Sequence, residues 1–275
     1  MTPVILSVAP VNAGASRIDK EALVRDILDC AKAGAAMVHL HVRDESARLT
    51  DDLSLTHELV CRVREHSDII IQVSTGGVSN LSIAQRCAPC AAPWAESHSL
   101  NVGSLNLGRQ VYQNPLDDVE YCVNQILSNK KVPEVEVFEL GMIKATADLA
   151  ERFVFPRPLL FAIVLGHQGG APATEQTLDA MLSCLKEFFP SQGSYLWGLT
   201  QAHRAGFALM RRALELGADS LRVGFEDSAS LSENQTSSTN AQIVRQAVDM
   251  VREAGRQPAT PQQARTMLGI KGGAL

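Results

Sequence analysis

Eight apolar runs of strand length recur along this chain, each followed by a stretch with helical spacing. The strand candidates cover residues 4–9, 37–44, 68–74, 99–102, 133–138, 158–165, 195–198 and 220–225. Between and after them the spacing predicts helices near 20–33, 54–65, 83–87, 115–127, 141–152, 174–188, 204–216 and 240–252. Asp19 is placed to cap the first helix and Gly34 to stop it. Near-continuous apolar strands alternating with amphipathic helices are the pattern of a parallel sheet covered by helices. Eight such units in 275 residues, with no composition break, predict one (β/α)8 TIM barrel domain over the whole chain. An open doubly wound sheet is the alternative, but no G-x-G-x-x-G follows the first strand.

Composition narrows the class. Apolar residues make up 45% of the chain, enough for a large core, and the formal net charge is −5 with no long run of either sign. That excludes a nucleic-acid or membrane-surface footprint, and anionic ligands would need a local pocket. Six scattered cysteines are not a secreted disulfide framework, and Cys87-Ala88-Pro89-Cys90 is a lone C-x-x-C without a second pair. No signal peptide is read before the first strand and no apolar run reaches membrane-spanning length, so the expected location is cytoplasmic.

Met37-Val38-His39-Leu40-His41-Val42-Arg43-Asp44 carries the chemistry. Residues two apart on a strand share a face, so His39 and His41 emerge side by side and can bind one divalent metal. As an isolated pair they read more readily as satisfied core histidines, and the metal reading gains from the apolar strand, the charged Arg43-Asp44 at its end and the partners below.

Active sites of barrels lie at the C-terminal ends of the strands. There the third strand supplies Ser74, before the Thr75-Gly76-Gly77 loop where backbone can approach a ligand, and the fourth supplies Ser99 and Asn101. Glu134 and Glu136 share one face of the fifth strand, and Arg222 on the eighth is followed by Glu226 and Asp227. Buried charges of this kind must meet one another or a metal. A buried Arg222–Glu136 ion pair with only a structural role is the bland account. His39, His41 and Glu226 would form a two-histidine, one-carboxylate set with open positions, the pattern of a catalytic zinc. Asp227 is then a candidate base for a proton beside a carbonyl, with Arg222 and Glu136 setting its charge environment.

At these residues the chain resembles the β-keto acid cleavage enzymes. The matching segments are Gly34-Ala35-Ala36 through His39-Leu40-His41-Val42-Arg43-Asp44, Ser74-Thr75-Gly76-Gly77, Gly103-Ser104-Leu105-Asn106, Pro133 to Phe138, Arg222-Val223-Gly224-Phe225-Glu226-Asp227, and Ala259-Thr260-Pro261 with Arg265. The resemblance implies a zinc barrel, homo-oligomeric as a dimer or tetramer, that condenses a β-keto acid with acetyl-CoA and cleaves the adduct to acetoacetate and a new acyl-CoA. It implies that His39, His41 and Glu226 hold zinc and that Asp227 removes the α-proton with Arg222 and Glu136 tuning it. Ser74, its loop, Ser99 and Asn101 would bind substrate.

Two places depart from the family. Its Gly-Ala-Glu after the first strand is matched here by Gly14-Ala15-Ser16, so Ser16 stands where a carboxylate would meet a substrate ammonium. A keto acid with an uncharged or anionic distal end is therefore expected. His167, after the sixth strand, is also unlike the family, and is expected to be a solvated loop histidine more than a substrate contact. A hydrolase of the amidohydrolase type is a rival, but that family places its His-x-His on the first strand. A non-catalytic metal- or thioester-binding relative is the other, and intact Asp227 and Arg222 argue against it.

Overall fold

The computed structural model describes residues 1–191 and 193–271. β1 (Pro3–Val8), β2 (Met37–Leu40), β3 (Ile70–Ser74) and β4 (Ser97–Asn101) form the first half of a parallel sheet. β5 (Val132–Val137), β6 (Leu159–Leu165), β7 (Tyr195–Gln201) and β8 (Ser220–Val223) form the second. β8 pairs in parallel with β1, from Ile5 beside Ser220 to Val8 beside Val223, so the sheet closes on itself. Helices α1 (Lys20–Ala33), α2 (Ser54–Arg64), α3 (Ile83–Arg86) and α4 (Leu116–Ser128) surround the first half. α5 (Leu140–Arg152), α6 (Glu175–Phe188), α7 (Ala208–Glu215) and α8 (Asn240–Glu253) surround the second. This is the (β/α)8 barrel that the alternation predicts.

The local causes are legible. Every residue of β6 is buried, because a barrel strand is covered inside by the other strands and outside by helices. α1 begins where the Asp19 side chain accepts from the Ala22 N–H at 3.0 Å, and it buries Val24, Ile27 and Cys30 on one stripe. It ends at Gly34, whose N–H returns to the carbonyls of Cys30 and Ala31. Among the described residues no helix is long and apolar enough to cross a membrane.

The structure differs from the pattern in four places, the last of them an additional helix after α8 described below. β2 stops at Leu40, so His41 lies just past the strand, where the chain turns into an excursion pinned by an Arg43–Leu49 bridge. α7 starts at Ala208 and not near 204, because Arg204 is drawn inward. Two short hairpins, Leu105–Leu107 with Gln110–Tyr112 and Ser230–Ser232 with Gln235–Thr236, also stand above the barrel rim. Strands of two or three residues have no period to detect.

The lower end is plugged by α9 (Pro261–Leu268). Ala264 and Leu268 join Ile5, Met37, Ile70, Val132 and Leu160 in a separate apolar cluster. Arg265, 3% exposed, donates to both oxygens of Glu96 at 2.6 and 3.0 Å and to the Asp68 carbonyl at 2.7 Å, while Arg64 meets Glu96 from the other side. Removing one partner from a buried charged group costs about 3–5 kcal/mol. Arg265→Met is therefore expected to lower stability in urea unfolding by about 3 kcal/mol, at the low end because Arg64 remains. A change below about 1 kcal/mol, the value of an exposed pair, would show that apolar contact alone holds the plug.

Candidate active site

The upper mouth of the barrel opens into a cavity of about 580 Å³. Its floor carries His39, His41, Ser74, Glu136, Arg222, Glu226 and Asp227, and its walls carry Ala13, Arg43, Arg48, Leu49, Tyr112, Phe138 and His167. Arg222 is the hub. It forks onto Asp227 at 2.7 and 3.1 Å, reaches Glu136 at 3.0 Å and lies 3.4 Å from Glu226. Glu136 takes a second bond from the Asn101 amide at 2.8 Å. Burial pushes the Asp227 carboxyl up, against the pull of Arg222. Burial also opposes charge on Glu226, yet His41 and Arg222 beside it hold it well below the usual carboxylate range.

His39, His41 and Glu226 each present a donor atom, all within 4.8 Å of one another. Glu226 Oε1 lies 3.4 Å from His41 Nε2 and 3.9 Å from His39 Nε2. Corners of a tetrahedron around an ion with bonds of about 2.0–2.1 Å are about 3.4 Å apart, so the set fits a metal after small adjustment. His39 is ready to ligate: burial, with the Arg222 charge, pushes its imidazole down to about 4, so it is neutral. Its Nδ1 sits 2.6 Å from Gln72 Oε1, leaving Nε2 toward the set. Charge agrees as well. Glu136, Glu226 and Asp227 against one guanidinium leave two negative charges, which one divalent cation neutralises.

Tertiary contacts fix the segment that carries Glu226 and Asp227. Gly224 has φ +133°, and a Cβ there would fall 2.3 Å from the Ala9 carbonyl oxygen, so only glycine lets β8 pass this close to β1. The Glu226 N–H then donates to that same oxygen at 3.1 Å. Fully buried Asn240 accepts from the Phe225 N–H at 2.8 Å and donates to the Pro10 carbonyl at 3.0 Å and to Asp26 at 2.6 Å. Arg204, 1% exposed, donates to the carbonyls of Ser228 and Ser230 at 3.1 and 2.5 Å and holds the chain beyond.

The other sequence candidates separate. Ser74 faces the cavity, and its Oγ lies 3.1 Å from Ser99 Oγ and accepts from the Gly76 N–H at 3.1 Å. Ser99 and Asn101 are both buried, Ser99 backing Ser74 and Asn101 backing Glu136. The Thr75 hydroxyl turns away, donating to the Ser99 carbonyl at 2.6 Å and accepting from the Cys122 thiol at 3.2 Å. Gly76 leaves room for the Tyr112 hydroxyl, which a Cβ would strike at 1.8 Å.

Two expectations need correction. Ser16 is exposed and does not line the cavity, because the loop turns back earlier, with Gly14 and Ala15 N–H groups both bonded to Asn12; Ala13 lines the mouth in its place. His167 is a half-buried loop histidine that faces the site instead of open solvent. It lines the cavity between Phe138 and His203, at 5.9 and 6.0 Å between ring centroids, and burial, with the Arg222 and His203 charges, pushes it down to about 4.

Gln72, Tyr112 and Phe138 belong to the site although neither motif nor spacing points to them. Gln72 had a signal, a lone amide within Ile69-Ile70-Ile71-Gln72-Val73, directly beside His39 in strand register.

Known proteins share this arrangement of sequence and fold. A family model described as beta-keto acid cleavage enzyme matches residues 12–270. A 3-keto-5-aminohexanoate cleavage enzyme of Fusobacterium nucleatum subsp. nucleatum is 30% identical over 253 residues, covering 91% of this chain and 89% of that one. A 3-oxoadipate:acetyl-CoA acetyltransferase of Cupriavidus necator is 30% identical over 240 residues, covering 87% and 82%. Among solved structures, apo ObcA superposes with a TM-score of 0.74 at 19% identity, over 93% of this chain and 66% of that one. This chain thus spans about two thirds of that protein's length, and the likeness concerns the fold.

Because Arg222 compensates three carboxylates at once, Arg222→Met is expected to cost about 3–5 kcal/mol in the metal-free protein. Urea unfolding reads this directly. Arg222→Lys keeps a charge but loses the fork onto Asp227, and should fall between parent and Met. Equal stability of all three would show that the carboxylates are compensated elsewhere.

Proposed function

The chain belongs to the beta-keto acid cleavage enzyme family, and from that premise we propose that it is a single-domain zinc enzyme that transfers an acyl group between a β-keto acid and acetyl-CoA. It cleaves a carbon–carbon bond of the keto acid. The products in this reading are acetoacetate and a new acyl-CoA. The observation that carries it is the joining of the His39–His41–Glu226 set to Asp227 through Arg222, inside one cavity.

His39, His41 and Glu226 would hold the metal, which when bound polarises a carbonyl oxygen as a Lewis acid. Asp227, whose proton affinity burial raises, takes the proton from the carbon between the keto and carboxyl groups. Arg222 and Glu136 keep that carboxylate oriented by the fork and the ion pair behind it. The enolate attacks the thioester carbonyl and coenzyme A leaves as thiolate. The thiolate attacks the original keto carbonyl, the bond to the α-carbon breaks, and the carbanion takes its proton back from Asp227. Ser74, supported by Ser99, faces the cavity where it can donate to the substrate carboxylate, Asn101 holds Glu136 beside it, and the Thr75-Gly76 backbone shapes that wall.

The preference for an uncharged or anionic distal end rests on different residues from Ser16. With a divalent cation bound, that ion and Arg222 together balance the cavity-lining carboxylates Glu136, Glu226 and Asp227, and the remaining lining charges are Arg43 and Arg48. An ammonium entering there would lose water without gaining a counter-charge. Six free cysteines suit a reducing, cytoplasmic setting. Exposed Leu116 and Tyr121 on α4, with Leu140 and Val154 at the ends of α5, suit a homo-oligomer such as a dimer or tetramer.

The test is the zinc-loaded protein with acetyl-CoA and a panel of β-keto acids, followed by acetoacetate release and mass spectrometry of the new thioester. Acids with neutral or carboxylate ends should exceed their amino counterparts by at least about tenfold in kcat/KM, the scale of one unpaired buried group. Turnover of no acid in the panel would overturn the reaction assigned.

Two variants locate the chemistry. His41→Ala should lose both zinc and turnover while remaining folded. Asp227→Asn should keep zinc but slow deuterium exchange at the α-carbon by about a hundredfold or more, the usual contribution of a general base. Exchange at the parent rate would move the base elsewhere.

A further inference from the structure

Zinc needs a nitrogen lone pair on His39 Nε2, so the ring proton must stay on Nδ1. Gln72 stands beside His39 in strand register, and its Oε1 lies 2.6 Å from Nδ1. A side-chain amide, however, has two ends of nearly the same shape and opposite hydrogen-bond role. Were Gln72 turned over, its NH2 would face Nδ1, the proton would move to Nε2, and the nitrogen facing Glu226 would have no lone pair to offer. His39 alone therefore does not specify its own tautomer.

The other end of the amide does. Gln72 Nε2 donates to Glu134 Oε2 at 2.7 Å and to Ser97 Oγ at 3.2 Å. The Ser97 hydroxyl hydrogen is committed to the Val132 carbonyl at 2.8 Å, so its oxygen can act toward Gln72 only as an acceptor. A turned amide would set its oxygen against both acceptors, in a place where Gln72 is fully buried and Glu134 only 4% exposed. Unpaired acceptors at such depth are strongly disfavoured, because they give up water without gaining a donor. Because Oε2 is the accepting oxygen, a proton carried on the other oxygen of Glu134 leaves the contact intact. Glu134 is neither among the cavity-lining residues nor in the metal set, and the reaction scheme gives it no part.

We infer that Glu134 is a positioning residue for the metal centre. Through Gln72 it holds His39 in the Nδ1–H tautomer and keeps Nε2 open to a divalent cation. The inference rests on the metal reading of His39, His41 and Glu226 and adds the groups that make that site selective for one proton arrangement.

The experiment uses the full chain and two readouts: the zinc dissociation constant by competition with a chromophoric chelator, and the 15N signals of the His39 ring in metal-free protein. Glu134→Met removes the acceptor at similar volume. It should weaken zinc binding about ten- to a hundredfold, the usual range for groups behind a ligand, and shift His39 from Nδ1–H to a tautomer mixture. Glu134→Gln retains an accepting oxygen and should stay within about threefold of the parent, as rescue by a conservative change requires. The swap Gln72→Glu with Glu134→Gln, combined with Ser97→Ala to remove the acceptor that a carboxylate at 72 would face, places a carboxylate beside Nδ1 and should also retain affinity and tautomer. It keeps the test decisive if Glu134→Met fails to fold. Zinc affinity and Nδ1–H unchanged in folded Glu134→Met would overturn the relay, as would a swap as weak as the loss expected for Glu134→Met. A parent protein that takes up no zinc would sink the metal site itself, and the His39 tautomer in the metal-free series would still decide the relay separately.

Discussion

Arg222 is the only cation that bonds Glu136, Glu226 and Asp227 among the described side chains, and those three carboxylates line the floor of the cavity. In a barrel interior such charges are stable only in company, because removal from water costs several kcal/mol for each. The guanidinium suits this place better than an ammonium would, since its planar fork serves Asp227 with two bonds and still reaches Glu136 and Glu226. One positive charge against three negative ones leaves the site acidic overall. That remaining charge, facing two histidines, makes a divalent cation the natural completion and keeps Asp227 a base beside it.

Such a cluster demands that its parts arrive in register. The parallel sheet does most of this, setting His39 beside Gln72 and Asn101 beside Glu136 at fixed strand spacing. The exception is the segment after β8, where Glu226 and Asp227 lie beyond the strand end. There Gly224, Asn240 and Arg204 replace ladder hydrogen bonds with close approach and side-chain bonds. Positional precision at the site therefore has two sources, the barrel ladder for β2 to β5 and a buried polar network for the β8 loop. The lower end has a separate task. α9, Arg265 and Glu96 seal the barrel and line no part of the cavity, so this share of the stability is independent of the chemistry.

The cavity walls come from loops, which is where substrate choice resides in barrels. Leu49 and Arg48 come from the excursion after β2, Tyr112 from the hairpin after β4, and His167 from the loop after β6. Each loop is anchored by a contact that propensity does not encode. The Gly108 N–H, for example, donates to the Gln168 carbonyl at 2.9 Å and joins two of these walls. Changes in such loops can alter the acid accepted while the Arg222 cluster stays as it is.

The sequence by itself determined the barrel, since eight apolar runs interleaved with amphipathic helices bury their surfaces in few other ways. It also determined which residue types gather at the rim, because His39, His41, Ser74, Glu136 and Arg222 sit at or near strand C-termini, where side-chain direction follows from the period of two. Tertiary structure decided what depends on loop paths and on partners far apart in sequence. The turn at Asn12 to Gly14 sends Ser16 to the surface and Ala13 to the mouth, and nothing in local spacing reveals that direction. His167 reads as a loop residue until Phe138 and His203 enclose it. The orientation of Gln72 is decided by Glu134, 62 residues away, because a buried amide takes its direction from the donors and acceptors that folding brings to it.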